Sequence, residues 1–125
     1  IVNVCLNGDK KKLNKILREN NFSFEDFFIL LKTFSKKIHR LIKIKTLNRS
    51  EKNIDQIFNQ IKPPIFWKEK EDVKKQVVLW NEKKLNEIII KINKIELNCK
   101  KNHELATNIT LDFLATVCDE VNNYS

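Results

Sequence analysis

Apolar residues recur along this chain at intervals of three and four, which puts them on one side of an α-helix, and seldom at the two-residue interval of a strand. The opening I-V-N-V-C-L-N reads as the tail of a helix, with Gly8 as its C-terminal stop and Asp9 as the cap of the next. Leu13, Ile16 and Leu17 mark that next helix, which ends near Asn20-Asn21. Ser23 starts a longer one, with Asp26 three residues on as a weak form of the capping box. Its predicted buried stripe is Phe27, Leu30, Leu31, Phe34, Ile38, Leu41 and Ile42. The polar run at 48–53 reads as a loop, and Ile54, Ile57, Phe58 and Ile61 predict a short helix after it. Val73, Val77, Val78 and Trp80 mark another, ending near Asn81, which caps the following one. Leu85, Ile88, Ile89, Ile92, Ile95 and Cys99 then form a long stripe. A final helix is expected from about Glu104 to Val121 through Leu105, Ile109, Leu111, Phe113, Leu114, Val117 and Cys118. The expectation is an all-α fold: a compact bundle of five to six helices forming a single domain over residues 1–125.

Composition agrees. One glycine and two prolines leave little turn chemistry for strands, and 125 residues are enough for one core. A hydrophobic share of 42% beside 32% charged places the chain among soluble globular proteins. No apolar run approaches the roughly 20 residues that span a bilayer. No basic n-region or small-residue cleavage site marks a signal peptide at I-V-N-V-C-L. The chain contains no Met, even at its first position, and reads as a piece of a longer protein. The net charge of +8 points toward an acidic partner such as nucleic acid. That inference weakens on inspection, because Lys, Asn and Ile occur 21, 16 and 16 times and Arg only three times. An A/T-rich genome imposes that bias through its codons whatever the function, and Arg is the better reader of phosphate and base. Cys5, Cys99 and Cys118 show no metal-ligand spacing and fall at or beside apolar helical positions, as small hydrophobes in a reducing cytoplasm do.

No catalytic constellation is legible. One glycine cannot make a phosphate loop, and His39 and His103 lie far apart without a nucleophile pattern. No cofactor, metal or small-molecule substrate is expected. Lys32, Lys36, Arg40 and Lys43 recur at helical spacing opposite their helix's apolar stripe, which is either a solvated face or a phosphate-tracking row. Glu96 falls on the apolar stripe four residues before Lys100, an i,i+4 pair at the core's edge or a carboxylate kept for a subunit interface.

Residues 61–70, I-K-P-P-I-F-W-K-E-K, hold both prolines. Pro63 and Pro64 each bias the residue before them away from the helical region, so the short helix stops near Ile61. A new helix starts near Lys68 or Glu69, with Glu69, Glu71 and Asp72 suited to its positive end. The result is a rigid elbow presenting Phe66 and Trp67, with Lys68 next in sequence. Either the aromatics staple the core shut, or they form a platform where bases stack and phosphates meet helix N–H groups.

L-L-K-T-F-S-K-K-I-H-R-L, I-K-P-P-I-F-W-K-E-K and L-N-E-I-I-I-K-I-N-K-I-E-L-N-C-K-K together resemble the C-terminal region of the bacterial DNA polymerase III delta subunit. N-G-D before an amphipathic helix and then S-F-E-D-F-F also follows that family's layout, except that Asn21 or Phe22 stands where a glycine is usual. The resemblance covers nearly the whole chain. It implies the all-helical collar module of a non-catalytic subunit in the five-subunit clamp loader, which opens the sliding clamp and places it on primed DNA. Its partners would be the motor and delta-prime subunits through collar faces, with no ATP site, in the replisome of a bacterial cytoplasm. The resemblance further implies that Phe66 or Trp67 faces the emerging template strand and that the region of His103, where the family often has an aromatic, lies near the primer end. A collar requires a helix from about Leu85 to Lys101 packed against the one starting near Ser23, and apolar surface left for neighbours. The competing expectation is a stand-alone basic helical nucleic-acid-binding domain using the Lys32–Lys43 row and the elbow.

Overall fold

A computed structural model of the protein describes residues 1–49 and 53–124. Among these, seven α-helices run in the order α1 (Val2–Asn7), α2 (Lys10–Glu19), α3 (Phe24–Asn48), α4 (Ile54–Gln60), α5 (Lys70–Leu79), α6 (Glu82–Lys101) and α7 (His103–Tyr124). A 3-10 turn, Trp67–Glu69, leads into α5, and none of the described residues forms a strand. The architecture is an all-α bundle, with one element more than the upper end of the five-to-six expectation.

Local chemistry sets most helix ends. Gly8 closes α1 in the left-handed region at φ 77°, which L side chains avoid. A Cβ there would also lie 2.7 Å from Val121 of α7. Asp9 caps α2 by accepting from the Lys12 amide. At Ser23 the capping box is complete in both directions: its hydroxyl accepts from the Asp26 amide and the Asp26 carboxylate from the Ser23 amide. The side chains of Asn53 and Asn81 cap α4 and α6 by accepting from the Gln56 and Lys84 amides. α3 runs on through Asn48, the first residue of the expected loop, and residues 50–52 of that loop lie outside those described.

α3, α6 and α7 form the centre. Arg49, just past the end of α3, pairs with Glu82 at the start of α6. Phe24 at the start of α3 meets His103, just past the end of α6, so the two long helices run antiparallel. Phe34 of α3 packs edge-on against Phe113 of α7 at 5.3 Å, within one continuous apolar cluster that draws on all seven helices. Some stripe positions differ from expectation. Ile44 is buried, while Leu30 and Ile42 on the stripe's flanks are half-buried. Val78 is 84% exposed, because one helical step carries it about 100° from buried Val77. On α7 the inward face is Ala106, Thr110, Phe113, Leu114, Val117, Cys118 and Val121, so Leu105 turns outward and Ile109 and Leu111 are half-buried. Small Ala106 and polar Thr110 carry too weak an apolar signal to mark that face. All three cysteines are buried free thiols; burial raises each pKa, to about 12 for Cys5.

Candidate functional site

The elbow is built by a division of labour among adjacent residues. Ile61 and Ile65 are buried and anchor the two ends of the proline segment, whose Lys62–Pro63 peptide is cis. Phe66 and Trp67 then point outward, 58% and 69% exposed, with ring centres 5.9 Å apart. The staple role therefore belongs to Ile65, and the aromatics are a surface feature. The Lys68 ammonium lies 5.3 Å from the Trp67 ring centre, within cation–π reach. The Glu69 amide donates to the Phe66 carbonyl at 2.8 Å, closing the 3-10 turn that aims both rings.

Glu69 fixes the elbow to the body. One of its oxygens accepts from Arg40 at 2.9 Å, Lys37 at 3.0 Å and Asn3 at 3.2 Å. Burial works against its charge, but the hydrogen bonds from Arg40, Lys37 and Asn3 outweigh that and hold its carboxyl at about 2. Arg40 therefore leaves the row in which its spacing puts it and turns to the elbow, since a half-buried carboxylate holds a guanidinium more strongly than water does. The seam continues along α1 and α5. Gln76, 1% exposed, donates to Asn3 and Asn7 at 3.1 Å each, Asn7 donates to Asp72 at 2.9 Å, and the Trp80 indole donates to the Leu6 carbonyl at 2.9 Å. Sequence reasoning missed this seam. Its signal was present: Asn3 and Asn7 four apart, facing Glu69, Asp72 and Gln76 at steps of three and four.

The rest of the lysine row stays outside. Lys32, Lys36 and Lys43 are exposed along α3, and Lys36 and Lys43 make no ion pair among the described residues. The Lys32 ammonium sits 4.9 Å from the Phe28 ring centre. Phe28 neighbours Phe24 at 6.5 Å, and Phe24 stacks on His103 at 3.9 Å and 17°. One end of α3 thus carries an aromatic ladder that continues into the cationic row. Phe24, Phe28 and Lys32 at four-residue intervals were the overlooked signal. His103 is joined to this ladder and lies on a different element from the elbow. Glu96 is half-buried, and the expected pair with Lys100 does not form among the described residues.

Among the described residues there is no group of three or more His, Cys, Asp or Glu side chains placed to hold a metal ion. No helix among them is long and apolar enough to cross a membrane. Compared with known proteins, the chain matches no family model, no curated protein and no solved structure.

Proposed function

We propose that this chain is an assembly module: the collar domain of a bacterial DNA polymerase III delta subunit, holding that subunit in the pentameric clamp loader that places the sliding clamp on primed DNA during replication. The observation that carries the reading is the meeting of the three stretches on which the resemblance rests. The first lies in α3, the second forms the elbow ahead of α5 and the third is α6. α3 and α6 share the most extensive contact of any two helices, and α3 grips the elbow through Lys37, Arg40 and Glu69. Exposed large apolar residues, Ile29, Val78, Ile90, Leu97 and Leu105 in addition to the elbow aromatics, suit a domain with neighbours. In this role the domain does no chemistry of its own and needs no cofactor. It binds the motor and delta-prime subunits, and primer–template DNA meets Phe66, Trp67, Lys68 and the His103 region weakly or only inside the assembly.

Light scattering on the domain, alone and mixed with the collar modules of its motor and delta-prime subunits, tests the proposal. A mixed complex of defined stoichiometry is the expected result. A monomer that ignores both partners overturns it. The Phe24–Phe28–Lys32 ladder and the free lysines of α3 favour a second reading, a stand-alone nucleic-acid binder. That reading requires affinity for DNA without partners, falling with log salt at a slope of about −0.7 per phosphate contacted on a single strand.

A further inference from the structure

α6 places Leu85, Ile88, Ile92, Ile95 and Cys99 in the core. On its opposite side Ile90 and Leu97 are 54% and 62% exposed. Seven residues apart, they lie within about 20° of each other around the helix. Lys83 precedes Ile90 by seven residues, Lys94 follows it by four and Lys101 follows Leu97 by four, so all three border the apolar pair. These lysines are exposed and make no ion pair among the described residues. The acids of α6 are engaged or turned away: Glu82 pairs with Arg49, Glu87 with Lys84 at 3.5 Å, and Glu96 is half-buried beside the core stripe.

We propose that this face docks an amphipathic helix of another protein, whose apolar row covers Ile90 and Leu97 and whose flanking carboxylates meet Lys83, Lys94 and Lys101. The inference deepens the assembly reading, on which it rests for the source of that helix, by naming the face and the chemistry of the neighbour. Charge complementarity selects the occupant. A second copy offering the same face would set lysine against lysine. A bilayer surface needs a broad apolar face, and the broad face of α6 is already in the core. Nucleic acid would satisfy the lysines and leave Ile90 and Leu97 uncovered.

The test is fluorescence anisotropy of two labelled helical peptides, each with leucines at seven-residue spacing, one flanked by Glu and the other by Lys. The Glu-flanked peptide should bind at least about tenfold tighter. Ile90→Asp and Leu97→Asp should each weaken it by about tenfold or more, and the double change Lys94→Glu, Lys101→Glu should reverse the preference. Circular dichroism checks that these surface variants keep their helices. Equal binding of both peptides, or binding unmoved by the α6 changes, overturns the proposal. So does binding through Ile90 and Leu97 to phosphatidylserine vesicles, or through the lysines to single-stranded DNA, with neither peptide bound. Light scattering separates the two readings. A mixed collar complex that survives Leu97→Asp overturns this face and leaves the assembly role standing. Selective peptide binding without any mixed complex does the opposite.

Discussion

α3 and α6 pack together, and their buried side chains are Phe27, Leu31, Phe34, Ile38, Leu41 and Ile44 on one helix and Leu85, Ile88, Ile92, Ile95 and Cys99 on the other, without a nitrogen or oxygen among them. α1 is joined to α5 and the turn before it by hydrogen bonds among Asn3, Asn7, Glu69, Asp72 and Gln76, matched donor to acceptor. The first contact is non-directional and contributes in proportion to area, about 1.5–3 kcal/mol for each large side chain buried. The second contributes only about 1 kcal/mol net per hydrogen bond, but a slip of one residue would strand buried Gln76 without partners. Apolar area therefore holds the bundle together, and the polar seam fixes where α5 sits. Because the elbow leads directly into α5, the seam also fixes where Phe66 and Trp67 point.

The largest effect should come from breaking the apolar contact. Phe34 is fully buried against Phe113, and Phe34→Ala should destabilise the domain by about 4 kcal/mol in urea unfolding followed by circular dichroism. A cost under about 2 kcal/mol would mean that the centre collapses around the gap and is less tightly packed than the contact implies. Gly8→Ala comes next, at about 3 kcal/mol, from adding a left-handed backbone penalty to the overlap with Val121. Gly8→Ala should act at the corner where α1 meets Val121 near the start of α6, so its cost should add to that of a change toward the other end of α6 such as Ile95→Ala.

Glu69→Gln probes the seam. It should cost about 2 kcal/mol, less than a fully buried pair because Lys37 and Arg40 keep some contact with water. The pH dependence has a definite sign. The folded carboxyl is held at about 2, below its ordinary 4.5, so its contribution is complete above the ordinary value and fades as pH falls through the folded one. The stability difference between the wild type and Glu69→Gln should therefore be constant above about pH 5.5 and shrink steadily toward pH 2. A gap that is flat across that range would show that the ionisation of Glu69 contributes nothing.

The legibility of the molecule in its sequence follows the same division. Period and caps announced α2, α3 and α6, because Asp9, Ser23 and Asn81 each act on an amide within three residues. The antiparallel pairing of α3 and α6, and the outward turn of Phe66, depend on contacts more than thirty residues apart in the chain. From the sequence, Phe66 and Trp67 could either staple the core or stand outside as a platform, and Ile65 was not singled out. In the structure Ile65 lands inward while Phe66 and Trp67 stay exposed. Arg40 was misread for a related reason. Its position on α3 is compatible with the outer row, and only the distant Glu69 draws it aside. Local rules read local partners, and the seam has none.

The smallest change in stability should come from the elbow's own rings. Phe66→Ala and Trp67→Ala should each shift stability by no more than about 0.5 kcal/mol, since neither ring is in the core. Fluorescence gives this prediction a second edge, because the chain has two tryptophans, Trp67 outside and Trp80 buried with its indole bonded to Leu6. Acrylamide should quench the wild type in two phases, and Trp67→Phe should remove the accessible one and leave blue-shifted, protected emission from Trp80. Glu69→Gln should leave the protected phase unchanged and alter only the accessible one, if the seam sets the elbow's direction without holding up the core. Were Trp67 protected from quencher in the free domain, the ring would be closing against the body. The elbow would then be a core element after all, with no aromatic surface to offer a strand of DNA.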